Sequence, residues 1–146
     1  MIGLLQRVSQ AWVEVDGQSL AAIESGLLVL VGFTRSDRAE RLDRFVERVL
    51  NYRVFADEQG RMNRSLRDTG GGLLLVPQFT LAADTNAGNR PSFSPAAAPE
   101  DGKALFETLV ERASSAWPGT GAGRFGADMQ VSLTNDGPVT FWLQVD

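Results

Sequence analysis

Three short stretches of this sequence set polar side chains or unusual backbone beside apolar residues. In VPQFTLAADT, Gln78 offers an amide that donates and accepts, Thr80 a hydroxyl, and Phe79 stands between them. Read as a strand, the trio alternates, with Gln78 and Thr80 facing opposite to Phe79. In SLTNDGPVTFWLQV, Asp136-Gly137 between apolar residues has the composition of a hairpin turn. Pro138 then adds a fixed φ, no N–H, and the one type of peptide bond that visits cis readily. In GRFGADMQ, Arg124 and Asp128 could form a binding pair walled by Phe125 and Met129, or a surface ion pair over core residues. By residue type alone, Gln78 and Thr80 could equally serve nearby backbone groups, and Gly137-Pro138 could begin an ordinary trans hairpin. None of the three stretches names a reaction.

What is missing narrows the chemistry. The 146 residues include no His and no Cys, which removes Ser-His and Cys-His pairs, thiol nucleophiles, disulfides and the usual zinc ligand sets. No P-loop pattern appears, and no Gly-x-Gly-x-x-Gly follows a strand, so neither a metal nor a cofactor is expected. Catalysis is left with carboxylates, hydroxyls, backbone N–H donors, Tyr52, Lys103, or groups carried by the substrate. Lys103 falls in the exposed first turn of a predicted helix, a poor place for a Schiff base.

A net charge of −4 argues against a broad non-specific nucleic-acid surface, and no DNA partner is expected. Every cation except Lys103 is an arginine, and Arg61, Arg64 and Arg67 share one polar stretch. Forked guanidinium groups there could grip phosphate or simply be solvated. No apolar run approaches the roughly 18 residues of a membrane span, and the N-terminus alternates like a strand, so no membrane partner and a cytoplasmic location are expected.

The elements that must position these groups fit one domain over residues 1–146. Residues 1 to 33 read as a meander with turns at Asp16-Gly17 and Ser25-Gly26, ending in the central strand LLVLVGF. Ser36 is expected to cap a helix whose Leu42, Phe45, Val46, Val49 and Leu50 form one stripe. YRVFAD reads as a short strand, EQGRMNRSLRDTGGG as a polar connection, and LLLV as a buried strand whose end, edge or bulge must hold Pro77. The loop TNAGNRPSFSPAAAP is too long for a plain connection. Pro99 opens a second helix with Leu105, Phe106, Leu109, Val110, Ala113 and Trp117 on its apolar face, and the remainder returns to β structure as a hairpin. The fold class is α/β, with a mostly antiparallel or mixed sheet, or a barrel-like β core, and two main helices.

Taken together, LLQRVSQAWVEV, RVLNYRVFADEQGRMN, QFTLAADT, GNRPSFSPAAAP, GRFGADMQVSL and NDGPVTFWLQV resemble the D-aminoacyl-tRNA deacylase family, bacterial type, from end to end. The family's Ser-Gln-Phe-Thr motif stands here as Pro77-Gln78-Phe79-Thr80, and its Asn-x-Gly-Pro-Val/Ile-Thr motif as Asn135 to Thr140. The resemblance implies that family's fold and a homodimer with its active site at the subunit interface. It also implies hydrolysis of the ester joining a D-amino acid, or glycine mischarged on tRNA(Ala), to the acceptor end of tRNA. Gln78, Phe79 and Thr80 would be the catalytic segment, with Phe125 and Met129 as walls around the terminal adenosine. Gly137 and Pro138, in a cis peptide locked by Arg7, would reach into the partner subunit's pocket, bind the substrate ammonium and exclude L side chains. The resemblance favours an RNA-assisted mechanism through the ribose 2′-hydroxyl over Thr80 as a nucleophile. With only the acceptor end gripped, Arg61, Arg64 or Arg90 would supply the few phosphate contacts and salt dependence would be shallow. Pro77 departs from the motif serine, and this leaves an alternative: a catalytically inactive protein that binds the aminoacyl-tRNA end or a small molecule on the same scaffold.

Overall fold

The computed structural model describes residues 1–146. Its first three strands are β1 (Ile2–Val15), β2 (Gln18–Ile23) and β3 (Gly26–Gly32). Asp16 and Gly17 both take positive φ, as a two-residue hairpin between right-twisted strands requires. β1 is long enough to serve two neighbours on one side. Residues from Ile2 to Val8 pair with β3, and those from Ala11 to Val15 pair with β2. β8 (Gln130–Gln144) lies antiparallel along its other side. β3 continues the sheet through parallel pairing with β6 (Gly72–Pro77), which pairs in parallel with β7 (Gly121–Ala122). β7 then comes back against β2, where a Cβ built on Gly121 would lie 2.9 Å from that of Ala21. The result is a nearly closed mixed sheet.

Both faces of that sheet are buried, which is why LLVLV and LLLV carry an apolar residue at every position. Leu27, Val29, Val31, Leu73 and Leu75 face one way, towards Phe45 and Val49 of α1 (Leu42–Asn51) and Phe106 and Leu109 of α3 (Pro99–Ala116). Leu28, Leu74 and Val76 face the other way and meet Val8, Ala11 and Val13 inside the curled sheet.

Several sequence expectations change here. Ser36 does not cap the first helix. The chain enters it through a 3₁₀ turn at Ala39–Arg41, and Ser36 pairs its hydroxyl with Thr34. Asp37 organises this entry instead: buried, it accepts from the Thr34 N–H at 2.7 Å and from the Met1 ammonium at 2.5 Å. The polar connection also has structure of its own. The short strands β4 (Phe55–Ala56) and β5 (Met62–Arg64) form a hairpin, followed by the one-turn helix α2 (Leu66–Thr69). Ser65 and Asp68 close that helix as a capping box. The backbone N–H and then the hydroxyl of Ser65 hold the Asp68 carboxyl below its ordinary range.

The largest change concerns Asn135 to Thr140, which form no hairpin. β8 is one strand paired with β1 on both sides of this stretch, with Asn135 opposite Val8 and Thr140 opposite Gln6. Between those pairs the single residue Arg7 faces four, Asp136 to Val139, so the segment loops out of the ladder as an enlarged bulge. Asn135 closes its neck: its Oδ1 accepts from the Val139 N–H at 2.9 Å and its Nδ2 donates to the Thr140 hydroxyl at 2.7 Å. A turn composition was legible, but the apolar alternation continues in phase with one partner strand, so the chain resumes its course instead of reversing.

Candidate active site

The parallel strands β3, β6 and β7 end on the same side of the sheet, and the chain leaving each end contributes to one cleft. This is where ligands gather in sheets containing parallel strands. The cleft has a volume of about 250 Å³ and is lined by Val31 and Phe33 at the end of β3, Phe79 after β6, Phe125 and Gly126 after β7, and Ala97, Pro99 and Gly102 around the start of α3. No ionisable side chain lines it.

Pro77 is the last residue of β6. The Gln78 N–H points to β3, donating to the Val31 carbonyl at 2.7 Å, so position 77 faces β7. Gly123 N donates to the Leu75 carbonyl, and the next bond of that ladder would need an N–H at residue 77. Proline has none, and β7 ends at Ala122. Pro77 thus sits where it breaks no bond to β3 and where the chain after β7 turns away to place Phe125.

After Gln78 the chain enters a 3₁₀ turn, Phe79–Ala82, and not the extended strand assumed from alternation. The turn still brings Gln78 and Thr80 together: the Gln78 amide Nε2 lies 2.5 Å from Thr80 Oγ1 and donates to it. With either orientation of that amide, Thr80 has no basic partner, because an amide oxygen does not take a proton at neutral pH. The N–H groups of Phe79 and Thr80 open the turn and so have no acceptor within it. The first bond of the turn runs from Leu81 N to the Gln78 carbonyl. The segment therefore offers two backbone donors beside an apolar cleft, the arrangement that stabilises a developing oxyanion without an ionisable group. Phe79 is half exposed and packs at 5.2 Å against Phe93, also exposed. Phe93 was not singled out in the sequence; the only signal for it was the excessive length of its loop.

Phe125 lines the cleft. Met129 does not: it packs with the core inside the curled sheet, and its sulfur lies 2.8 Å from where a Gly123 Cβ would be, on the Pro77 side. Arg124 and Asp128 form no ion pair.

Arg7, Gly137 and Pro138 do not line this cleft either; they form a second place. Asp136, Gly137 and Pro138 are exposed at the tip of the β8 bulge, and the Gly137-Pro138 peptide is cis. Arg7 lies beneath. Its Nε donates to the Asp136 carbonyl at 3.0 Å, its Nη1 to the Val54 carbonyl at 2.8 Å, and the Asp136 carboxylate stands 3.7 Å from Nε. One planar guanidinium thereby ties the bulge to the chain leaving α1. Gly137 has φ 133°, and a Cβ there would lie 2.8 Å from Val139 Cγ2 and 3.1 Å from Arg7 Nη2.

The family model described as D-Tyr-tRNA(Tyr) deacylase matches residues 4–144. The chain belongs to that family. A D-aminoacyl-tRNA deacylase of Stutzerimonas stutzeri is 61% identical over 144 residues, covering 99% of each chain. One of Alkalilimnicola ehrlichii is also 61% identical, over 99% of this chain and 96% of its own. Among solved structures, the c-Myc DNA Unwinding Element Binding Protein superposes with a TM-score of 0.94 at 36% identity, over 100% of this chain and 99% of that one. A probable eukaryotic D-amino acid tRNA deacylase gives 0.84 at 17% identity, a likeness of fold. The family sets the reaction as hydrolysis of the aminoacyl-tRNA ester. A cleft with backbone donors and no side-chain base suits an ester, whose leaving group needs less assistance than an amine. No helix is long and apolar enough to cross a membrane.

Proposed function

We propose that the chain proofreads chirality, hydrolysing D-aminoacyl-tRNA and glycyl-tRNA(Ala) while sparing L-aminoacyl-tRNA, at a cleft completed by a second copy of itself. The carrying observation is the exposed β8 bulge, held outward by Arg7 and remote from the lining of its own chain's cleft. In a homodimer, Gly137 and Pro138 would enter the partner subunit's cleft and turn carbonyl oxygens towards the substrate ammonium. An L side chain would meet this wall, whereas a D side chain or the hydrogen of glycine would not. The edge of β8 that faces away from β1, with Trp142 53% exposed beside it, supports dimerisation along this strand. The terminal adenosine would occupy the apolar cleft against Phe79 and Phe125, and the place of action would be the cytoplasm, with its charged tRNA.

The decisive assay incubates purified protein separately with D-tyrosyl-tRNA, L-tyrosyl-tRNA and glycyl-tRNA(Ala). Release of D-tyrosine and glycine but not L-tyrosine is expected; equal release of both tyrosine enantiomers would remove the exclusion mechanism.

In this reading the attack on the ester is assisted by the ribose 2′-hydroxyl, and the N–H groups of Phe79 and Thr80 hold the oxyanion. Thr80 then contributes a hydrogen bond to Gln78 and no nucleophile. Thr80→Ala is expected to lower kcat by about 10-fold or less, in keeping with one lost hydrogen bond of about 1 kcal/mol. Complete loss of turnover with unchanged substrate binding would restore Thr80 as the nucleophile.

A further inference from the structure

The charge on α1 is sorted by side. Leu42, Phe45, Val46, Val49 and Leu50 face the core. On one flank, the carboxylates Asp43 and Glu47 are neutralised from neighbouring helices, by Arg112 of α3 at 3.3 Å and Arg67 of α2 at 3.6 Å. On the other flank stand Arg41, at the helix start, Arg44 and Arg48, at i, i+3 and i+7, the spacing of one helix edge. None of these three forms an ion pair. Arg41 and Arg44 are exposed, and Arg48 places its guanidinium 5.9 Å from the Tyr52 ring centroid.

That edge runs towards the β8 bulge. The Tyr52 ring packs at 5.8 Å against Phe141 of β8, and two residues further Val54 is tied to Asp136 through Arg7. Of the arginines expected from sequence to meet phosphate, Arg90 is exposed and forms no ion pair, whereas the other three are less available. Arg67 is spent on Glu47, Arg64 donates to the Asp68 carbonyl beside a carboxylate, and Arg61 shares its hairpin with Asp57 and Glu58. In a chain of net charge −4, the α1 edge thus presents a row of three cations that form no ion pair, with Glu40 beside its first member. It spans about 10 Å along the helix axis, the reach of about three successive phosphates on one strand.

We infer that Arg41, Arg44 and Arg48 form a track for the phosphate backbone of the tRNA acceptor stem, gripping the strand whose 3′ end lies in the cleft that this subunit's bulge completes. The inference rests on the deacylase reading and adds to it the place where the stem runs. An acidic protein can hold tRNA on such a track because attraction to phosphate acts over a Debye length of about 8 Å at physiological salt, so local charge outweighs net charge.

The test compares D-tyrosyl-tRNA with the D-tyrosyl ester of adenosine, which has no stem, for the wild type and for the triple variants Arg41→Gln/Arg44→Gln/Arg48→Gln and Arg41→Lys/Arg44→Lys/Arg48→Lys. For the glutamine variant, KM for D-tyrosyl-tRNA is expected to rise at least about 10-fold with kcat little changed, and the slope of log KM against log salt to fall by about 2 to 3. Hydrolysis of the adenosine ester should be unaffected, and the lysine variant should keep the wild-type salt slope. Unchanged KM and slope on tRNA, or equal loss on both substrates, would overturn the track. If the wild type hydrolyses neither substrate, the deacylase reading fails by itself. Fluorescence anisotropy with uncharged tRNA then decides the track: a slope reduced by glutamine and kept by lysine supports it, and an unaltered slope overturns it.

Discussion

Replacing Arg7 with alanine is expected to lower kcat/KM for D-tyrosyl-tRNA by about 100-fold while leaving the protein folded. The guanidinium is the only group that binds both the Asp136 carbonyl, at the base of the Gly137-Pro138 tip, and the Val54 carbonyl, in the chain leaving α1. Hydrogen bonds from a charged donor contribute about 1.5 to 3 kcal/mol each. Their loss frees the bulge from its support while Asn135 still closes its neck. A reacting or excluding group misplaced by about 1 Å commonly costs on the order of 100-fold in rate. Arg7→Lys should recover little, because an ammonium lacks the planar fork that spans both carbonyls. Discrimination should suffer along with rate, so L-tyrosyl-tRNA hydrolysis is the companion measurement. Activity within about 3-fold of wild type, with discrimination intact, would show that the bulge holds its position without Arg7.

Gly26→Ala is expected to be the most damaging substitution for stability, lowering it by about 3 kcal/mol or more and the melting temperature by on the order of 10 °C. β3 and β6 begin side by side at Gly26 and Gly72, and a Cβ built on Gly26 would lie 2.0 Å from the Gly72 carbonyl oxygen and 2.6 Å from its nitrogen. Both obstructing atoms are backbone and cannot turn aside. Gly72→Ala makes the useful contrast. Its Cβ would meet Ile23 Cβ at 2.8 Å and Cγ2 at 2.9 Å, a shallower clash than the 2.0 Å approach at Gly26 and one against a side chain, not a paired strand's backbone. The Gly72 variant should therefore lose less. Thermal melts in which the two substitutions cost the same would refute this account. The damage would also reach function, because the far ends of these two strands carry Phe33 and Gln78.

Legibility in the sequence followed the range of the forces involved. The meander, the two long helices with their stripes, the doubly buried strands and the strand-end position of Pro77 are set by periodicity and turn chemistry, which act over a few residues. The curling of the sheet until β2 meets β7 depends on small residues, Ala21 and Gly121, a hundred positions apart, and left no local pattern. The capping box at Ser65 and Asp68 was readable as Ser-x-x-Asp but lay inside a stretch dominated by polar residues. The bulge was misread as a hairpin because Asp-Gly-Pro satisfies turn rules wherever it occurs. Only the pairing of Gln6 with Thr140 and Val8 with Asn135 tells a reversal from an excursion. In the candidate site, Gln78, Phe79 and Thr80 were recognised together, but their geometry was taken as extended. Phe125 lines the cleft while Met129 packs inside the curled sheet, a difference that residue type does not encode, and Phe93 lies in a loop, where an aromatic residue has no periodicity to betray it.

An excursion from an otherwise unbroken ladder has an evolutionary consequence. Of the four residues opposite Arg7, Asp136 to Pro138 are exposed and Val139 alone reaches the core, so the tip can be lengthened or shortened while the pairs on both sides keep their register. A lineage can thus alter the exposed tip without rebuilding what holds the domain together. Arg7, half-buried beneath the changing segment, is the hinge pin on which such variants must still hang.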